Sequence, residues 1–118
     1  MSYLGLDYGS SHVGIAISMG VLAEPLTTIP TKTALLLIKD LIFKHQIDAM
    51  VVGDVDQNFL IKLKEFGLPV YQVDETLSTK DARTALMHTT QTRRKQKEHS
   101  VAATIILQYW LDSGQTNS

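Results

Sequence analysis

Two apolar runs near the start of the chain, YLGLDY (Tyr3 to Tyr8) and VGIAIS (Val13 to Ser18), are separated by only four residues, Gly9 to His12. Runs this short are too brief for helices, and the β-branched residues of the second favour extended backbone. A four-residue turn rich in Gly and Ser joins neighbouring antiparallel strands, so the chain is expected to begin with a hairpin. The fold must therefore be organised around a sheet.

The rest of the pattern extends that sheet and adds helices. A third extended piece is expected from about Leu26 to Ile29, stopping at Pro30. Thr31 or Thr33 can then cap a helix whose apolar positions Ala34, Leu37, Ile38, Leu41 and Ile42 follow helical spacing. AMVVG (Ala49 to Gly53) reads as a buried strand, and a short helix from about Asn58 to Phe66 ends at Gly67. Val70 to Val73 is the fifth strand, and Ser78 opens a helix through Met87. His88 to Lys97 (HTTQTRRKQK) is polar and without apolar period, and is read as a mobile loop. Ser100 to Leu111 is the last helix, and residues 113–118 a frayed tail. The order β-β-β-α-β-α-β-α-α implies an α/β fold, a mixed five-stranded sheet with helices on its faces.

Composition narrows the class. A chain of 118 residues with 44% hydrophobic content suits one domain, expected over residues 1–112. The absence of cysteine excludes disulfides and thiolate metal sites and suits a reducing, cytoplasmic setting. Neither a signal peptide nor an apolar run near the roughly 20 residues of a membrane span is visible, so no membrane role is expected. Net charge is -1, yet six of the eleven Lys and Arg fall between Lys80 and Lys97, with Asp81 the one acid among them. The chain is neutral overall and locally basic.

Against that frame three positions stand out. Asp7 ends the first strand, with Gly9 and Gly14 close by, where small residues let a phosphate approach the backbone. Glu75 lies just past the fifth strand, and His99 heads the last helix in KEHSVAA. Strand order can bring all three to one edge of the sheet. Clustered carboxylates repel unless cations neutralise them, and hard oxygen ligands select Mg²⁺ or Mn²⁺. Two such ions about 4 Å apart can activate water and stabilise the leaving oxygen of a phosphodiester.

LGLDYGSSHVGIAIS, VVG, VYQVDETLSTKDA and HSVAATIILQYWL resemble, in order and spacing, the signature blocks of the YqgF/RuvX family of pre-16S rRNA nucleases, also described as Holliday junction resolvase-like. The resemblance spans essentially the whole chain. It implies an RNase H-like fold with sheet order 3-2-1-4-5 and an antiparallel second strand. It implies catalytic carboxylates in the first DxG block, the DE block and at the head of the last helix, which fall on Asp7, Glu75 and His99. His99 thus stands where the family usually has aspartate. Other departures are His12 in place of a basic residue, Thr76 in place of an Arg, and DVDQNF in place of a longer, proline-containing segment after VVG.

These readings set the expected roles. Asp7, Glu75 and His99 are the candidate catalytic and metal-binding residues, and Asp54, just after the fourth strand, is a candidate fourth ligand. At a helix N-terminus the partial positive charge favours the neutral imidazole of His99, whose preference leans to Mn²⁺ over Mg²⁺. Arg93, Arg94, Lys95 and Lys97 on the loop, extended by Lys80 and Arg83, are expected to contact a phosphate backbone; without interleaved aromatics, base reading is not expected. The favoured function is metal-dependent hydrolysis of structured RNA, as the resemblance implies for the 5′ end of precursor 16S rRNA, by a monomer. The alternatives are a non-catalytic RNA- or ribosome-binding protein and a nuclease of branched DNA. His45 is expected to serve a helix C-terminus, His88 to lie in the loop, and Tyr109 and Trp110 to be core or partner-facing. DYGSSHVG also resembles the phosphate loop of actin-like ATPases, which need two lobes that this length cannot supply.

Overall fold

The computed structural model describes residues 1–73 and 91–113, and for residues 91–98 the backbone alone. Its strands are β1 (Tyr3–Tyr8), β2 (His12–Ser18), β3 (Ala23–Pro30), β4 (Ala49–Val52) and β5 (Val70–Gln72). A 3-10 turn at Thr31–Thr33 leads into α1 (Ala34–His45); α2 covers Gln57–Lys64 and α3 covers Gln91–Asp112. The sheet order is β3-β2-β1-β4-β5, with β2 antiparallel to both neighbours and β1, β4 and β5 parallel. Sheet order and the direction of β2 match those implied by the resemblance. The helix expected from Ser78 to Met87 lies outside the described residues.

Side-chain alternation splits the strands between two cores. Leu4 and Leu6 of β1, Val13 and Ile15 of β2, and Met50 and Val52 of β4 pack with Ala34 and Ile38 of α1 and Phe59, Leu60 and Leu63 of α2. On the other face Tyr3, Ala16, Ala49 and Val51 pack with Ala103, Ile106, Leu107 and Trp110 of α3. Trp110 is buried and meets the ring of Tyr3 edge-on at 5.2 Å and that of Tyr71 at 4.8 Å, whereas Tyr109 is exposed. The amide N–H of Ala23 donates to Gln108 Oε1 (2.8 Å) and Gln108 Nε2 donates to the Val21 carbonyl (3.0 Å), so α3 is also tied to the β2–β3 hairpin. No helix among the described residues is long and apolar enough to cross a membrane.

Three local expectations are corrected. β3 is longer than Leu26 to Ile29 because its pairing with β2 continues to Ala23 across a bulge, where Ile15 faces Thr27, Ala16 faces Pro25, and Leu26 is the extra residue. Neither Thr31 nor Thr33 caps α1 through its side chain. The Thr31 hydroxyl instead donates to the Gly9 carbonyl (2.7 Å), and the Thr31 N–H donates to the Ser11 carbonyl (2.9 Å), fixing the β1–β2 turn. Most consequentially, residues 91–97, expected to be loop, are the first two turns of α3. Their Gln, Arg and Lys residues are good helix formers, and apolar period reports burial, not helicity.

Candidate active site

Asp7 is the penultimate residue of β1, the central strand, and alternation puts it on the α3 face together with Tyr3 and Gly5. Although at a strand end, Asp7 is only 6% exposed. Burial there follows from how closely α3 lies on the sheet. A Cβ added at Gly5 would meet the Ala103 carbonyl oxygen and Leu107 Cβ, both at 2.7 Å. One added at Gly14 would collide with the backbone carbonyl of His99. Gly14 is the register partner of Asp7 on β2, so the helix backbone rests on the strand at the level of the carboxylate.

That approach delivers His99. Its Nδ1 lies 2.8 Å from Asp7 Oδ2, with the His99 side chain about a third exposed. A carboxylate accepts hydrogen bonds and cannot donate them when ionised, so Nδ1–H donates to Oδ2 and the second nitrogen, Nε2, lies across the ring. The ring of His12, the exposed first residue of β2, sits with its centroid 6.5 Å from that of His99 and its plane 25° away. Gly9 lies beneath: a Cβ there would come 3.0 Å from His99 Cε1 and 2.7 Å from the His12 carbonyl oxygen.

The two glycines expected to admit a phosphate are therefore closed over by the protein. Gly14 accommodates the backbone of α3, and the space at Gly9 is bounded by His12 and His99. His99 is also not at a helix head, because eight residues of α3 precede it. The partial charge of a helix terminus fades within about one turn, so the electrostatic partner of the imidazole is the Asp7 carboxylate.

The other expected residues are placed less closely. Asp54 is exposed, in a bend after β4. Val51 faces α3 and Val52 faces the α1/α2 core, so continued alternation would send Asp54 to the face opposite Asp7; the bend at Gly53 and Asp54 interrupts that alternation. Glu75, Lys80 and Arg83, along with His88, lie outside the described residues. Arg93, Arg94, Lys95 and Lys97 belong to the first two turns of α3, preceding His99 on the same helix. His45 ends α1, where Lys44 and His45 form its basic last turn. Among the described residues no group of three His, Cys, Asp or Glu side chains converges to hold a metal ion.

Two features of the site went unread in the sequence. Gly5, Gly14 and Ala16 form a strip of small residues on which α3 rests, and its signal was available in the spacing Gly5-x-Asp7 opposite Gly14-x-Ala16. The proximity of His12 to His99 had no such signal, since it depends on where α3 crosses the hairpin.

The profile of the RuvX family, described as Holliday junction resolvase, matches residues 1–57 and 55–113. The two stretches meet between β4 and α2, where the sequence reads DVDQNF. A protein of Geobacillus kaustophilus named "Putative pre-16S rRNA nuclease" is 34% identical, the comparison covering 96% of this chain and 99% of the relative. One of the same name from a Picosynechococcus is 38% identical over 98% of this chain and 94% of the relative. Among solved structures, the fowlpox virus Holliday junction resolvase superposes with a TM-score of 0.67 at 9% identity, covering 96% of this chain and 99% of that one. Thermus thermophilus RuvC in complex with Holliday junction substrate gives 0.61 at 16% identity, covering 97% and 96%. At such identities these superpositions establish a shared fold, that of the RuvC-like, RNase H-like resolvases. With a profile match spanning residues 1–113 and relatives above 30% identity along almost the whole chain, the protein belongs to the RuvX family.

Proposed function

We propose that the protein is a metal-dependent nuclease that hydrolyses phosphodiester bonds in structured RNA of the kind found at the 5′ end of precursor 16S rRNA, in the cytoplasm and as a monomer. In this reading residues 1–112 form one nuclease domain with a short tail. The observation that carries the proposal is the buried Asp7 at the end of the central strand, held by His99 from the crossing helix α3.

The donor chemistry fits a divalent cation. A carboxylate and an imidazole are both accepted ligands of such ions, and the pair leans to Mn²⁺ over Mg²⁺, which prefers an all-oxygen shell. Asp7, Glu75 and His99 would hold the ion, with Asp54 as a further candidate. When bound it would supply an activated water and neutralise charge on the phosphate. Asp7 contributes a negative charge in a site from which α3 excludes much of the solvent, where electrostatic interactions are strengthened. His99 fixes the orientation of that carboxylate. Arg93, Arg94, Lys95 and Lys97, with Lys80 and Arg83, would hold the backbone of the nucleic acid, each phosphate contact adding to the salt dependence of binding.

A second reading is favoured by the same contact: with His99 donating to Asp7, the family's third carboxylate is lost, as in a non-catalytic RNA- or ribosome-binding protein. Cleavage of an rRNA-precursor mimic and of a four-way DNA junction, with Mn²⁺ or Mg²⁺, separates the readings. RNA cleavage by the wild type that is lost in Asp7→Ala supports the enzyme. His99→Asp should raise Mg²⁺-supported cleavage by an order of magnitude or more. RNA binding without cleavage, in the wild type and in His99→Asp alike, supports the binder; junction cleavage with intact RNA moves the substrate to branched DNA.

A further inference from the structure

We propose that Tyr71, backed by Trp110, is a stacking platform for an unpaired base of the RNA whose backbone crosses Asp7. The inference rests on the nuclease reading above and adds to it the form of the substrate: a structured RNA with a single-stranded flank.

Three observations carry it. The first is the state of the ring. Tyr71 belongs to the edge strand β5 and is 41% exposed, yet its ring is stacked on that of Trp110, with centroids 4.8 Å apart and planes 27° from parallel. Trp110 is itself buried and is met edge-on by Tyr3 at 5.2 Å. The buried indole therefore fixes the orientation of an exposed ring. One face of Tyr71 is taken by Trp110, which leaves the other face for a ligand. A ring already held in place gives up little conformational freedom when a base stacks on it.

The second observation is where that ring stands. Tyr71 pairs with Val51, and Val51 with Gly5, so the three occupy one row across β5, β4 and β1. Neighbours in a row share a face of the sheet, here the α3 face on which Asp7 also lies. With strands about 4.8 Å apart and a rise of about 3.3 Å per residue, Tyr71 and Asp7 are roughly 12 Å apart on the sheet, a gap that a short run of single-stranded nucleotides spans.

The third observation is the order along α3. Its first two turns carry Arg93, Arg94, Lys95 and Lys97, His99 then meets Asp7, and Trp110 follows about 16 Å further along the axis. The cationic turns and the aromatic stack therefore flank the buried carboxylate. A strand whose phosphates are held by the first and whose base rests on the second is drawn across Asp7 between them. The basic segment has no aromatic residues of its own; β5 and the far end of α3 supply them. Such a stack is indifferent to which base it holds, but the base must be unpaired.

The test is binding of two labelled RNAs to the full-length protein, followed by fluorescence anisotropy in EDTA so that no metal-dependent cleavage intervenes. One is a stem–loop with a single-stranded extension, the other the same stem–loop with a blunt end. The wild type should bind the extended RNA about fivefold or more tightly. Tyr71→Leu should erase that preference and Tyr71→Phe, which keeps the ring, should retain it, with circular dichroism confirming that each variant is folded. An abasic residue moved along the extension should find one position whose loss in the wild type matches that of Tyr71→Leu and which costs nothing further in that variant. A preference undiminished in folded Tyr71→Leu would overturn the proposal, as would abasic losses that simply add to that of the variant. Equal binding of both RNAs by the wild type removes the platform and leaves the nuclease standing. Matching losses in a protein that cleaves neither RNA with Mn²⁺ or Mg²⁺ keep the platform and remove the nuclease; binding of neither RNA removes both.

Discussion

On the face of the sheet covered by α1 and α2, strands β1 and β2 present Leu4, Leu6, Val13 and Ile15; on the face covered by α3 the same strands present Gly5, Asp7, Gly14 and Ala16. Large aliphatic side chains fill the first interface and hold its helices off the strands. The second interface has almost no side chain between helix and strand at Gly14, and the backbones meet. Close approach is what buries a carboxylate beside an imidazole on a neighbouring element. The Asp7–His99 pair therefore depends on the absence of side chains as much as on the two that are present.

Substitutions on the two faces should fail in opposite ways. Gly14→Ala is expected to have the largest effect, because the new methyl meets helix backbone, which cannot rotate aside. We expect a loss of about 3 kcal/mol or more, at the upper end of overpacking costs. Cleavage should fall with it, since α3 must lift and carry His99 from Asp7. Chemical denaturation gives the first quantity and the RNA assay the second; a stable Gly14→Ala protein with full activity would refute the backbone contact. On the other face, Leu6→Ala removes a fully buried side chain and leaves a cavity, costing about 2–5 kcal/mol. Its folded fraction should retain wild-type cleavage per molecule. If Leu6→Ala abolishes activity in a folded protein, the two faces are coupled and the contrast between them fails.

The same contrast explains what the sequence could reveal. The β1–β2 hairpin was legible because alternation of apolar residues reports directly on strand faces, and β1 runs from Tyr3 to Tyr8 as expected. The start of α3 was not, because Gln91 to Glu98 are mostly helix-forming residues without an apolar stripe, and an apolar stripe reports burial, not helix. Without that stripe the sequence shows no sign of the eight helical residues that precede His99. The meeting of Asp7 and His99 was foreseeable in position from the resemblance, since both fall on its site blocks. Their direct hydrogen bond was not, since it depends on how closely the backbone of α3 approaches Gly14. Thr31 looked like a cap because Thr before an apolar run usually is one; tertiary contact with Gly9 won instead.

A smaller effect sharpens the comparison from the α1/α2 side. Asp56 Oδ2 accepts from the N–H groups of Asn58 (3.1 Å) and Phe59 (3.2 Å), capping α2. Removal of such a cap costs about 1 kcal/mol. Asp56→Ala should lower the unfolding free energy by that amount in chemical denaturation without altering cleavage, whereas Asp56→Asn, which keeps the acceptor, should stay close to wild type. Equal losses in both variants would mean that charge at the helix start, not the hydrogen bond, is what stabilises α2.

The smallest expected effect has the opposite sign and lies on the α3 face. Thr28, on β3, pairs with Gly14, which pairs in turn with Asp7, so the three residues stand in one row across the sheet. Its hydroxyl oxygen is buried without a hydrogen-bond partner among the described residues. An unsatisfied buried hydroxyl costs about 1–3 kcal/mol of desolvation, and an apolar group of the same shape avoids that cost. Thr28→Val keeps the shape and the β-branched preference for strand. Structural relaxation absorbs part of the gain, leaving an expected stabilisation of about 0.5–1 kcal/mol in chemical denaturation. If Thr28→Val instead destabilises the protein, the hydroxyl has a partner in the row that ends at Asp7, and the α3 face carries a longer polar network than the Asp7–His99 pair.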